Sequence, residues 1–78
     1  MCLNIQFNTK DEVTRLSEEA CKSGETLYVH SYDDVVMVDA RSLLALFALV
    51  GKPCRLVGED SCNPKVLERV ARRAGVIV

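Results

Sequence analysis

Apolar and polar residues alternate without a break at the start of the chain. Leu3, Ile5 and Phe7 fall on one side, Asn4 and Gln6 on the other. A period of two predicts a strand over Cys2–Phe7 with one wet face. The period then lengthens. Thr9-Lys10-Asp11-Glu12 reads as a capping box, and Val13, Leu16 and Ala20 follow at helical spacing, with Gly24 as the stop. This predicts a helix from about Lys10 to about Lys22. Thr26–Tyr32 and Val35–Asp39 read as two further strands joined by a two-residue turn at Asp33-Asp34. That turn pairs Tyr32 with Val35. Leu27, Val29, Val36, Val38 and Ala40 then share one face, and Tyr28, His30, Tyr32, Val35 and Met37 share the other. The second face is only half polar, so the outer side of this hairpin is expected to be sticky.

The pattern loses its polar side at Val38-Asp39-Ala40-Arg41-Ser42-Leu43-Leu44-Ala45-Leu46-Phe47-Ala48-Leu49. The chain turns at Asp39 to Ser42 and enters a short helix that is apolar all round, ended by Gly51. A helix of about eight residues is not stable alone in water and must be held by packing. Its surplus of apolar side chains points to deep burial or to a contact surface. Cys54–Val57 reads as a fourth strand and Gly58-Glu59-Asp60 as a loop. Asn63-Pro64 starts a last helix, N-cap followed by Pro at its first position. Val66, Leu67, Val70, Ala71 and Ala74 make its stripe; Arg72 and Arg73 sit in its last turn, and Gly75 closes it. The apolar tail Val76-Ile77-Val78 has two placements open, docking on the body or self-association. The order β-α-β-β-α-β-α implies an α+β fold. It is an open-faced β-sandwich, a four-stranded antiparallel sheet with three helices on one face.

Composition narrows the function classes. The chain has 78 residues, 49% of them apolar and 27% charged, which is globular rather than disordered. One small domain, 1–78, is expected. The net charge is −1 and the basic residues are scattered, so no phosphate-backbone groove and no nucleic-acid partner are expected. No run approaches the length of a membrane span, and no basic start precedes an apolar core. The expected compartment is therefore the cytoplasm. The cysteines Cys2, Cys21, Cys54 and Cys62 then read as free thiols behaving as small apolar residues. No Cys-x-x-Cys pair is present, and a zinc site would need four of the five residues Cys2, Cys21, His30, Cys54 and Cys62 at unrelated spacings, so no metal or cofactor is expected.

The element order and the segment from Val38 to Leu49 resemble the HPr family, the small phosphocarrier proteins of the bacterial sugar phosphotransferase system. In that family a hairpin runs into Val-Asn-x-Lys-Ser and then a short apolar helix that docks partners. Val38, Asp39 for Asn, Arg41 for Lys, and Ser42 carry the likeness here. The topology covers the whole chain; the sequence likeness covers this segment. The family's phosphoryl-accepting His lies in a Gly-x-His-Ala-Arg-Pro loop after the first strand. In its place stands Phe7-Asn8-Thr9-Lys10-Asp11-Glu12, shorter and without His or Arg-Pro. Its acidic pair would repel a phosphohistidine.

The resemblance therefore implies a non-catalytic regulatory or adaptor protein that keeps the docking helix and binds a protein partner. Ser42 has two readings: a helix N-cap, or a candidate regulatory phosphorylation site, as the matching serine is in several HPr proteins. Arg41, Leu43, Leu44 and Phe47 are the candidate partner-binding residues. Leu43, Leu46, Val50 and Leu49 are expected in the core, with Leu44 and Phe47 outward. Two other functions stay open. One is a divergent phosphocarrier using His30, the only imidazole, although no acid, nucleophile or glycine loop surrounds it. The other is a homodimer formed by the sticky hairpin face and the apolar tail. The pairs Asp33-Asp34 and Glu59-Asp60 read as solvated turns, and Arg69, Arg72 and Arg73 as dipole compensation on the last helix.

Overall fold

The structure, a computed structural model, describes residues 2–78. The elements follow the expected order: β1 (Cys2–Gln6), α1 (Lys10–Ser23), β2 (Leu27–Ser31), β3 (Met37–Asp39), α2 (Leu43–Phe47), β4 (Pro53–Gly58) and α3 (Pro64–Ala74). The strands form one antiparallel sheet in the order β1-β4-β2-β3. Alternation decides which face is covered. Ile5, Leu27, Val29, Cys54 and Leu56 point to one side and are buried against Val13, Leu16, Ala20, Leu46, Leu67, Val70 and Ala74 of the helices. The other face carries the out-of-phase residues of the same strands, among them Asn4, Arg55, His30 and Met37 in one cross-strand row. The result is the open-faced α+β sandwich that the pattern implies.

The helix ends are set by local chemistry. Thr9 accepts the Glu12 N–H at 3.2 Å, and Glu12 reaches back to the Thr9 N–H at 3.1 Å, which closes the capping box. Gly24, with φ of 72°, ends α1 in the left-handed region that glycine tolerates best. Asn63 caps α3 through the Lys65 N–H at 2.9 Å, and Pro64 follows it. Gly58 differs from the expectation of a loop residue, since it is the last residue of β4. A Cβ there would lie 3.1 Å from the buried Cys62 side chain, so close approach explains this glycine.

The hairpin keeps the expected register but closes differently. Val29 faces Val38 and His30 faces Met37, as a Tyr32–Val35 pairing requires. The ladder nevertheless stops at Ser31, whose N–H donates to the Val36 carbonyl at 2.8 Å. Asp33 competes for the turn: its Oδ1 accepts the Ser31 hydroxyl at 2.6 Å and the Val35 N–H at 3.1 Å. Asp34 takes a left-handed φ of 61°. A four-residue loop, 32–35, thus replaces the two-residue turn, and β3 is shorter than Val35–Asp39.

The C-terminal tail docks on the body. Val76 is buried, the Gln6 N–H donates to the Val76 carbonyl at 3.0 Å, and Ile77 bridges Ile5 in antiparallel sense. The tail therefore covers the outer edge of β1. All four cysteines are free, but only Cys54 and Cys62 behave as apolar core; Cys2 and Cys21 are exposed. Burial pushes both core thiols above the ordinary thiol pKa.

The core assignments on α2 separate two leucines one turn-fraction apart. Leu46 is fully buried and Leu44 is exposed. Leu46→Ala is expected to destabilise the fold by about 2–5 kcal/mol, whereas Leu44→Ala is expected to change stability by less than about 0.5 kcal/mol. Urea denaturation of the two variants checks this, and equal losses would contradict the packing described.

Candidate functional site

The candidate surface is built where β3 runs into α2. The organiser is Asp39, the last residue of β3. Its Oδ1 accepts the Arg41 backbone N–H at 2.8 Å and the guanidinium Nε at 3.0 Å, while Oδ2 accepts Nη2 at 2.8 Å. A short carboxylate turned onto the backbone two residues ahead is a turn former, and the two-point guanidinium contact fixes its plane. The Ser42 N–H then donates to the Asp39 carbonyl at 2.9 Å, and the Leu46 N–H to the Ser42 carbonyl at 3.1 Å. The Ser17 hydroxyl of α1 donates to the Arg41 carbonyl at 3.3 Å and ties this turn to the helical layer.

The helix that follows is shorter than expected. Regular α-helix covers five residues, Leu43–Phe47, and then tightens. The Ala48, Leu49 and Val50 N–H groups donate three residues back, to Ala45, Leu46 and Phe47. Gly51, with φ of 82°, closes the segment by donating to the Phe7 carbonyl at 2.8 Å. Leu46 and Leu49 are buried, and Leu43 and Val50 pack half-buried against the core.

Two expectations for this surface are corrected. Ser42 occupies the N-cap position, but its side chain makes no capping bond. The Asp39 carboxylate already takes the Arg41 N–H, so the turn is held from two residues earlier and the Ser42 hydroxyl stays at the exposed surface. Phe47 does not project fully outward; it is half-buried and packed on the core, since it lies four residues after Leu43 and shares that residue's half-buried side. Leu44 alone among the large side chains of α2 stands in solvent, 84% exposed. The structure thus brings Arg41, Ser42 and Leu44 together as an exposed group, with Leu43 and Phe47 forming its half-buried base.

His30 belongs to the helix-free face of the sheet, on the opposite side from α2. Its Nδ1 lies 3.6 Å from Asp34 Oδ1, which also accepts Arg55 Nη2 at 2.6 Å. Arg55 further donates to the Tyr32 carbonyl at 3.1 Å and lies over the Tyr32 ring, 5.5 Å from its centroid. This network of His30, Asp34, Arg55 and Tyr32 was not legible from spacing, because Arg55 reaches it from β4, across the β2–β4 ladder. It holds the strained Asp34 turn. Shallow concavities lie along Lys65, Arg69 and Arg72 of α3 and, beside Tyr32, between Ser31–Asp33 and Lys52-Pro53. Among the described residues, no three His, Cys, Asp or Glu side chains converge as a metal site. None of the described helices is long and apolar enough to cross a membrane.

Hydrogen bonds from Arg41 hold the Asp39 carboxyl below the usual carboxylate range, and those from Ser31 and Val35 do the same for Asp33. A carboxylate with a lowered pKa stabilises the fold above its unfolded value, about 4, and that stabilisation is lost as pH falls through the folded value. The melting temperature is therefore expected to fall below about pH 4, and Asp39→Asn to lower it at neutral pH while flattening part of the acid slope. Thermal melts across pH check both; an unchanged slope in Asp39→Asn would contradict the role given to Asp39. No protein-family model matches the chain, and no curated protein matches its sequence.

Proposed function

We propose that the chain is an HPr-like module that transfers no phosphoryl group and serves as a cytoplasmic regulatory or adaptor surface of a phosphotransferase system. It docks a protein partner through Arg41, Leu43, Leu44 and Phe47. The observation that carries the reading is the exposure of Leu44. An isolated large apolar side chain in water stands on a helix whose other large residues are drawn to the core, beside an exposed arginine and an exposed serine hydroxyl. Such a group supplies an apolar knob with a polar rim, the arrangement that small docking surfaces use.

The start of α1 supports the loss of phosphoryl transfer. Glu12 Oε1 accepts the Asn8 N–H at 2.7 Å and the Thr9 N–H at 3.1 Å. A carboxylate therefore occupies two of the backbone donors at the entry to α1 and adds negative charge where a phosphate would have to sit. Ser42 serves in this reading as the regulatory phosphorylation site, since its hydroxyl makes no capping bond. A phosphate there would place close to two negative charges beside Arg41.

Two experiments test this. The chain is incubated with phosphoenolpyruvate and the general phosphotransferase enzyme, and separately with ATP and a bifunctional HPr kinase. The expected outcome is no acid-labile phosphate and one acid-stable phosphate at Ser42. Acid-labile label on His30 would establish the divergent phosphocarrier instead. Titration of the kinase into labelled chain is expected to perturb amide resonances at residues 41–47. Leu44→Glu should weaken that binding about tenfold or more, with the fold unchanged.

A further inference from the structure

The two edges of the sheet are unlike. The β1 edge is occupied by the chain's own tail, whereas β3 ends the sheet with nothing beyond it among the described residues. The hydrogen-bonding phase of β3 follows from its pairing with β2. Ser31 and Leu27 bond Val36 and Ala40, so by antiparallel alternation Val38 also faces β2. Val35, Met37 and Asp39 therefore turn their backbone groups to the open edge. Two of these are satisfied within the chain: the Val35 N–H by Asp33, and the Asp39 carbonyl by the Ser42 N–H. What remains on the edge is the Met37 N–H, the Met37 carbonyl, the Asp39 N–H and the Val35 carbonyl.

That set is self-complementary about Met37. We propose that a second copy of this chain pairs with β3 in antiparallel fashion across a two-fold axis at Met37, which joins two four-stranded sheets into one continuous sheet. Each Met37 N–H donates to the other Met37 carbonyl. Each Asp39 N–H donates to the Val35 carbonyl of the second copy. The Val35 N–H and the Asp39 carbonyl, which this register also sets opposite each other, are already satisfied within each chain. A shift of the axis to Val38 would set each Met37 N–H against an Asp39 carbonyl that already accepts the Ser42 N–H, and would keep two free pairings where the Met37 axis keeps four.

The side chains fit the same register. Met37, 62% exposed on the helix-free face, meets its counterpart at the axis. Val36, exposed on the helix side, meets Val38 of the second copy. At both ends the acidic turn at Asp33 comes opposite Arg41 of the second copy, which supplies charge complementarity. The stretch from Val35 to Val38 carries no lysine or proline, the residues that usually keep an edge from pairing. The hairpin supplies this interface, and the tail, spent on β1, does not.

Sedimentation and amide hydrogen exchange test the proposal on the intact chain. A reversible dimer is expected with a dissociation constant on the order of 100 µM or tighter, with the Met37 and Asp39 amides gaining protection as concentration rises. Met37→Lys puts two ammonium groups together at the axis, while its own backbone N–H is not used within the monomer. It should weaken the dimer about tenfold or more at unchanged circular dichroism. A chain still monomeric at about 1 mM overturns the proposal. So does a dimer that protects the helix α2 amides and not those of Met37 and Asp39, or one indifferent to Met37→Lys. Should Met37→Lys fail to fold, the exchange pattern of the unaltered chain decides.

Discussion

The pairing of β2 with β3, Val29 opposite Val38, is the constraint on which the rest depends. A slip of one residue would send Leu27 and Val29 to solvent and Tyr28 and His30 into the core. The same register places Ala40 in the core and leaves Asp39 on the outer row, where its carboxylate can fold back on Arg41. It also fixes which backbone groups face outward on β3. Core, turn and open edge are therefore three consequences of one alignment, and none can be altered without the others.

Much of this was legible because it is local. Thr9 and Glu12, Gly24, Asn63-Pro64 and Gly75 each act within one helical turn, so their roles survive from sequence to structure unchanged. The hairpin register was legible for a different reason: apolar residues on both strands admit only one alignment that hides Leu27, Val29 and Ala40 together. What failed was the detail of competition. Asp33 displaced the short turn because its side chain outbid the backbone for Ser31 and Val35. Asp39 displaced Ser42 in the same way. Both are short carboxylates two residues before the donor they capture, and periodicity does not rank such captures.

Other features were hidden because they are non-local. Gly58 looks like loop punctuation until Cys62 is seen against it. Arg55 looks like a solvated strand residue until β4 is placed beside β2. Phe47 looks like a free knob until it is seen packed on the core beside the half-buried Leu43, one turn earlier. On the candidate surface the pattern picked out a segment with three exposed members, Arg41, Ser42 and Leu44. It could not divide the apolar residues between base and crown, since that depends on where a five-residue helix stops.

The two carboxylates that govern the loops also decide what each end of the sheet can do. Glu12 takes the Asn8 and Thr9 N–H groups at the entry to α1 and sets a negative charge there, which disfavours a phosphate. Asp33 takes the Val35 N–H, a donor that the two-fold register would set against an Asp39 carbonyl already engaged by Ser42. In both places a side chain consumes a backbone group and thereby selects among the partners that the remaining groups can accept.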